Sequence, residues 1–156
     1  LSVEPLRLAA VNASATVTLR FRDHLVPADR VISIQQFEEW QVRDRAGLRL
    51  NGSLALGVAA RCAALLGSGP LGESIRACRE ALDHGAPEAM PSLRARASGL
   101  ALRAATTLVV AGGGRAIGLD QQAQRLAREA LFLLVFGQTS AIKAAQLERL
   151  YSESHD

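Results

Sequence analysis

The stretch VVAGGGRAIG, Val109 to Gly118, decides how this chain folds. Its glycines could let a backbone approach a phosphate, or they could stop a helix. A dinucleotide loop needs a strand before it, a βαβ unit around it and GxGxxG spacing. Here Gly112, Gly113 and Gly114 are consecutive. They follow Leu93, Ala97, Leu100, Ala104 and Leu108, a stripe at helical spacing. The segment therefore reads as a helix end closed by glycine, followed by a loop.

Composition agrees. Apolar residues make up 49% of the 156 positions but aromatics only 4%, and the apolar set is mostly Ala, Leu and Val. That mixture suits closely packed helices better than a sheet sandwich. The formal charge of +3 is carried mainly by arginines that recur along helical stretches. Solvated helix faces account for them, and no aromatic residues interleave with them as nucleic-acid binding would require. Cys62 and Cys78 sit inside apolar helical patterns, which implies reduced core thiols in an intracellular, cytoplasmic protein. His24, His84 and His155 are scattered, so no metal site is expected. The longest apolar run, Gly52 to Gly69, is interrupted by Arg61, and no membrane span is expected.

Upstream of the helices the pattern changes. Ala15, Val17, Leu19 and Phe21 alternate with Thr16, Thr18 and Arg20, the period of a half-buried strand. A weaker strand is expected at Leu6 to Val11, with turns at Arg22 to His24 and Ala28 to Arg30. Two or three strands cannot hold themselves together in water. This segment, residues 1–34, is expected to complete a sheet whose other strands lie elsewhere, in preceding sequence or in another chain.

Residues 35–156 read as an up-and-down bundle of four to five helices. The first runs from Gln36 to Leu66, with a break at Asn51-Gly52 possible, and its small apolar second half should occupy the middle. The second spans Leu71 to His84, with Leu71, Ile75, Cys78 and Leu82 on one side. The third begins at Ser92 or slightly earlier, with Arg94, Arg96 and Arg103 facing out. The fourth spans Asp120 to Phe136, with Asp120 as N-cap, and its uniformly apolar ALFLLVF should be buried. The fifth spans Ser140 to Tyr151, capped by Thr139 or Ser140, and SESHD is a polar tail. Trp40 should anchor the junction between the β segment and the bundle. The fold class is mainly α with a short N-terminal β segment.

Several stretches, taken in order, resemble the acyl-CoA dehydrogenase family. GGRAIGLDQQAQRLAREA places Gly113 and Gly114 on that family's paired glycines, Arg125 and Arg128 on its two arginines, and Glu129-Ala130 on its Asp-Ala. VTLRFRDHLVPADRVI resembles the last β-domain strand and its "VPxDRV" exit, and GSLALGVAAR the helix that follows. The resemblance implies the end of a β-domain plus a C-terminal helical bundle that builds an oligomer. It implies FAD as cofactor and an acyl-CoA thioester as substrate. In such enzymes a glutamate takes the α-proton while the β-hydride passes to the flavin. Gly113, Gly114, Thr139 and Arg128 would be cofactor contacts, the glycines reaching the flavin of a neighbouring subunit. Thr139 has helix capping as its other reading, and the Arg125–Arg128 pair a surface role with carboxylates such as Glu129.

The chain departs from the family at three places. The glutamate of the E-G-T loop falls on Gly137, within FGQTSAI, and the amide of Gln138 has no basic site. The RxxFG motif is absent where LLGSGPLGES stands, and the glutamine three residues before the paired glycines falls on Val110. Some members carry their base on the first bundle helix, and in RDRAGLR that position offers Asp44. The bundle is expected to build a homo- or hetero-oligomer, and the departures keep a second reading open, a non-catalytic assembly subunit of a heteromeric acyl-CoA dehydrogenase. A third is a helical interaction module without flavin.

Overall fold

A computed structural model describes residues 1–67 and 69–152. His155 and the end of the polar tail lie outside these residues. The chain is mainly helical: two short strands, then five helices, α1 (Phe37–Leu65), α2 (Gly69–His84), α3 (Met90–Gly112), α4 (Gln122–Val135) and α5 (Ser140–Ser152). The Val109–Gly118 stretch behaves as a helix stop. Gly112 ends α3, and Gly113 turns the chain at φ 61° into a 3₁₀ turn, Gly113–Ile117.

The core confirms the one-sided stripes. Ile75, Cys78 and Leu82 of α2 are buried, with Leu71 packed at the edge. They meet Ala55, Leu56, Ala59 and Cys62 of α1 and Ala97, Leu100, Ala101 and Ala104 of α3. The central helix is α3, which touches each of the other four, whereas α1 packs on α2, α3 and α4. The middle position expected for α1 therefore belongs to α3. Small side chains explain it: Ala95, Ala97, Ala101, Ala104 and Ala105 are all buried, so neighbours can approach from several sides.

No break occurs at Asn51-Gly52; α1 is continuous. Gly52 is there for proximity, because a Cβ on it would lie 2.8 Å from Leu82 Cδ1 on α2. By length and composition, the helical stretch Pro87–Ile117 is apolar enough to cross a membrane. It also carries Arg94, Arg96, Arg103 and Arg115 and runs through the centre of the bundle.

Two expectations about helix ends are corrected. Asp120 does not cap α4: the cap position is Gln121, with no side-chain cap bond, and Asp120 Oδ2 instead accepts from Gln121 Nε2 at 3.0 Å. The 3₁₀ turn and the Gly118 bend delay the helix by two residues. Nor is ALFLLVF buried throughout. Ala130 and Leu133 are in the core, but Leu131, Val135 and Phe136 are exposed, since α4 packs only on its α3 and α1 side.

The strands form one antiparallel ribbon, β1 (Ser2–Pro5) with β2 (Val17–Arg20). The expected strand at Leu6 to Val11 is absent. That segment is an irregular loop, continuing the ladder by one bond from Leu6 N–H to Thr16 O at 3.0 Å. Val11 and Ala15 adopt left-handed φ of 50° and 51° around a 3₁₀ turn at Asn12–Ser14. Such values suit glycine, so this loop is strained. The register pairs Val3 with Leu19 and Pro5 with Val17 on one face, Ser2 with Arg20 and Glu4 with Thr18 on the other. The polar face carries the Arg20–Glu4 ion pair at 3.2 Å.

The apolar face is uncovered: Leu1, Val3, Val17, Leu19 and Phe21 are exposed. Residues 1–43 contain no buried side chain, and the first buried residue among those described is Leu48. The ribbon also has two free edges.

Candidate functional site

The side chains that sequence reasoning proposed fall into three places. The first is an open cleft of ≈ 730 Å³ at one end of the bundle. Phe37, Trp40, Gln41, Asp44 and Leu48 line one side. They recur at i, i+3, i+4, i+7 and i+11, one face of α1. The α2–α3 connection supplies Pro87 and Glu88, the start of α3 Pro91, the α4–α5 connection Gln138 and Thr139, and the start of α5 Ser140 and Ala141. Asp44 and Thr139 are therefore brought to one cavity. Phe37 and Trp40 stack there, ring centres 5.8 Å apart. Trp40 is half exposed in this cleft and does not anchor the ribbon.

Among the described residues the cleft contains two carboxylates, Asp44 and Glu88, and no Lys, Arg or His. Thr139 Oγ1 accepts the Ile142 N–H at 3.4 Å, so it caps α5 and is Thr139 rather than Ser140 in that role. Sequence reasoning missed Glu88, Phe37 and Gln41. The α1 spacing was a readable signal for Phe37 and Gln41, whereas Glu88 arrives through the α2–α3 turn.

Beneath the cleft lies a buried polar network that sequence reasoning misplaced. Arg94 was expected to face out, yet it is 1% exposed. Its Nη2 donates to Leu133 O at 2.7 Å and Phe136 O at 3.4 Å, and its Nη1 donates to Ser98 Oγ. Ser98 Oγ also reaches Leu133 O at 3.3 Å. Gln146 donates to Leu134 O at 2.8 Å and accepts from Gln138 at 2.8 Å. The last carbonyls of α4 have no partners within their own helix, and these side chains satisfy them. A guanidinium also suits the negative end of the helix dipole. Burial lowers the Arg94 pKa from its ordinary value. No carboxylate pairs with it among the described residues.

The network fixes the turn into the cleft. Gly137 has φ 60°, and a Cβ on it would lie 2.8 Å from Asn51 Nδ2. The position on which the family's glutamate falls is thus a left-handed corner that favours glycine, where a side chain would displace the Asn51 amide.

The second place is the far end of α3. Gly113 and Gly114 are exposed, and nothing would lie within 4 Å of an added Cβ. A shallow pocket beside them is lined by Leu65, Leu108, Gly112, Arg115, Ala116 and Gln121 among others. The 23 residues of α3 separate this corner from the cleft by about 33 Å at 1.5 Å per residue.

The third place is the outer face of α4. Arg125 pairs with Glu129 at 3.6 Å, one helical turn away. Arg128 Nη1 donates to Ala9 O at 3.0 Å, joining α4 to the ribbon loop, and its Nε is buried without a partner.

A flavin can be tested against this geometry. Thr139 and Gly113–Gly114 of one chain are too far apart to grip one ring system, and Arg128 is engaged with Ala9. The candidate contacts do not assemble a flavin site within one chain. Among the described residues no group of three or more His, Cys, Asp or Glu could hold a metal ion. Comparison of the chain with protein-family models, curated proteins and solved structures returns no match. The acyl-CoA dehydrogenase resemblance thus stands on the motifs alone.

Proposed function

We propose that this chain supplies the end of the β-domain and the C-terminal bundle of an acyl-CoA dehydrogenase-like protein, acting on an acyl-CoA thioester with FAD. The observation that carries the reading is the ribbon. Two strands with both edges free and an uncovered apolar face lead directly into a five-helix bundle, the order the resemblance implies. Asp44 is the base candidate, and its meeting with Thr139 in one cleft supports that role. A carboxylate there would accept a proton from carbon beside a thioester carbonyl. The apolar walls of Phe37, Trp40 and Leu48 would shelter an acyl segment.

Since the candidate contacts lie at opposite ends of α3, a flavin would be shared between chains. The second reading, a non-catalytic assembly subunit, is favoured by Gly137, where a glutamate would have to adopt a left-handed backbone and displace the Asn51 amide. Purifying the whole protein alone and with co-expressed relatives separates the two. A yellow flavin band and acyl-CoA turnover from the protein alone support catalysis. Colour only with a partner supports the assembly role, and a colourless protein in both settings overturns the flavoprotein reading. Within an active preparation, unchanged turnover of Asp44→Asn would eliminate Asp44 as the base.

A further inference from the structure

The ribbon and the bundle scarcely touch. No strand packs appreciably on a helix, and no residue of 1–43 is fully buried. Between the ribbon and the helices there is one hydrogen bond among the described residues, from Arg128 Nη1 to Ala9 O. Around it Leu8 and Ala10 are half-buried while their neighbours are exposed. The Ala9 carbonyl is presented by a loop tightened at several points. Leu8 N–H donates to Asn12 Oδ1 at 3.2 Å, the Ser14 and Thr16 hydroxyls bond at 2.6 Å, and Val11 and Ala15 are left-handed. On the other side of the ribbon, residues 22–36 run to α1 with one short 3₁₀ turn, Ala28–Arg30, and no buried residue.

We propose that the ribbon is a hinged strap and that Arg128 is its clasp. The Arg128–Ala9 bond, rather than packing, sets where the uncovered apolar face lies relative to α4. The guanidinium is only partly satisfied, because its Nε is buried without a partner. Opening the clasp returns this group to water, so the closed state is weakly favoured and can be released. A covering layer that gripped the apolar face would move the strap as one piece, because β1 and β2 are held by their own ladder and the Arg20–Glu4 pair. This proposal does not depend on flavin chemistry.

The test is a distance measurement on the whole chain. Spin labels on Ser2→Cys and Lys143→Cys report ribbon position against the bundle; Cys62 and Cys78 are buried and resist labelling. With Arg128 present, one narrow distance distribution is expected. Arg128→Ala should broaden it severalfold while the thermal midpoint of the helices stays unchanged, and Arg128→Lys should restore it in part. Equal widths with and without Arg128 would overturn the proposal, as would a broad distribution with Arg128 present. Should Arg128→Ala fail to fold, Arg128→Gln, which keeps most of the stem, carries the same comparison.

Discussion

Replacing Arg94 tests the polar network most directly. Three variants separate its contributions. Arg94→Ala removes the donors to Leu133 O, Phe136 O and Ser98 and leaves a void in the core. Hydrogen bonds from a charged donor contribute about 1.5–3 kcal/mol each, and cavities add to the loss. Part of this is offset because an isolated guanidinium is costly to bury. The expected destabilisation is therefore about 3–5 kcal/mol. Arg94→Met keeps the volume and removes the charge, leaving the carbonyls unpaired, at about 1–3 kcal/mol. Arg94→Lys keeps the charge but loses the fork and should fall between the two. Urea unfolding followed by circular dichroism gives all three. The folded-state pKa of Arg94 is lowered by burial, so its desolvation cost is present wherever the group is charged. That cost would be relieved only as pH rises through the folded value. An Arg94→Ala protein within about 0.5 kcal/mol of wild type, or a less stable Arg94→Met than Arg94→Ala, refutes the account of α4 capping.

Other outcomes follow from single features. Gly137→Ala should cost at least about 1 kcal/mol, since φ is 60° and Asn51 stands 2.8 Å from the new Cβ; a thermal melt reads it. Leu19→Ser on the ribbon's open face should leave helical unfolding unchanged within about 0.5 kcal/mol, because Leu19 is half exposed and packs on no helix. Cys62 and Cys78 have thiol pKa values raised by burial, so both should react slowly with a thiol reagent in the native state and quickly in denaturant. Thr139→Ala should lower stability by about 1 kcal/mol through loss of the α5 cap, whatever its effect on any ligand.

What could be read in advance followed local periodicity. The α2 stripe was legible because every apolar residue on it has one polar neighbour pattern and one side to bury. Gly113 was legible because a left-handed turn after a helix demands glycine. β2 was visible from its alternation, but β1 was not: its pairing with Val17–Arg20 is a long-range choice, and Pro5 disguises it. The sequence suggests an outward Arg94 because charge usually means solvent. Yet its position four residues after Met90 and four before Ser98, all three buried, puts it on the inward face. In ALFLLVF uniform hydrophobicity hid which side has neighbours, so Leu131 and Val135 were assigned to a core that ends before them. The cleft combines three distant segments, and only its α1 face leaves a trace in local spacing.

The alanine lining of α3 has a further consequence for how the bundle can change. Every other helix leans on this one thin rod. Widening it by one branched side chain at Ala101 or Ala104 would push outward on several neighbours together, and no single compensating shift could absorb it. Adaptation in this protein is therefore expected at the rims, where a changed residue answers to one neighbour, while the axle keeps its gauge.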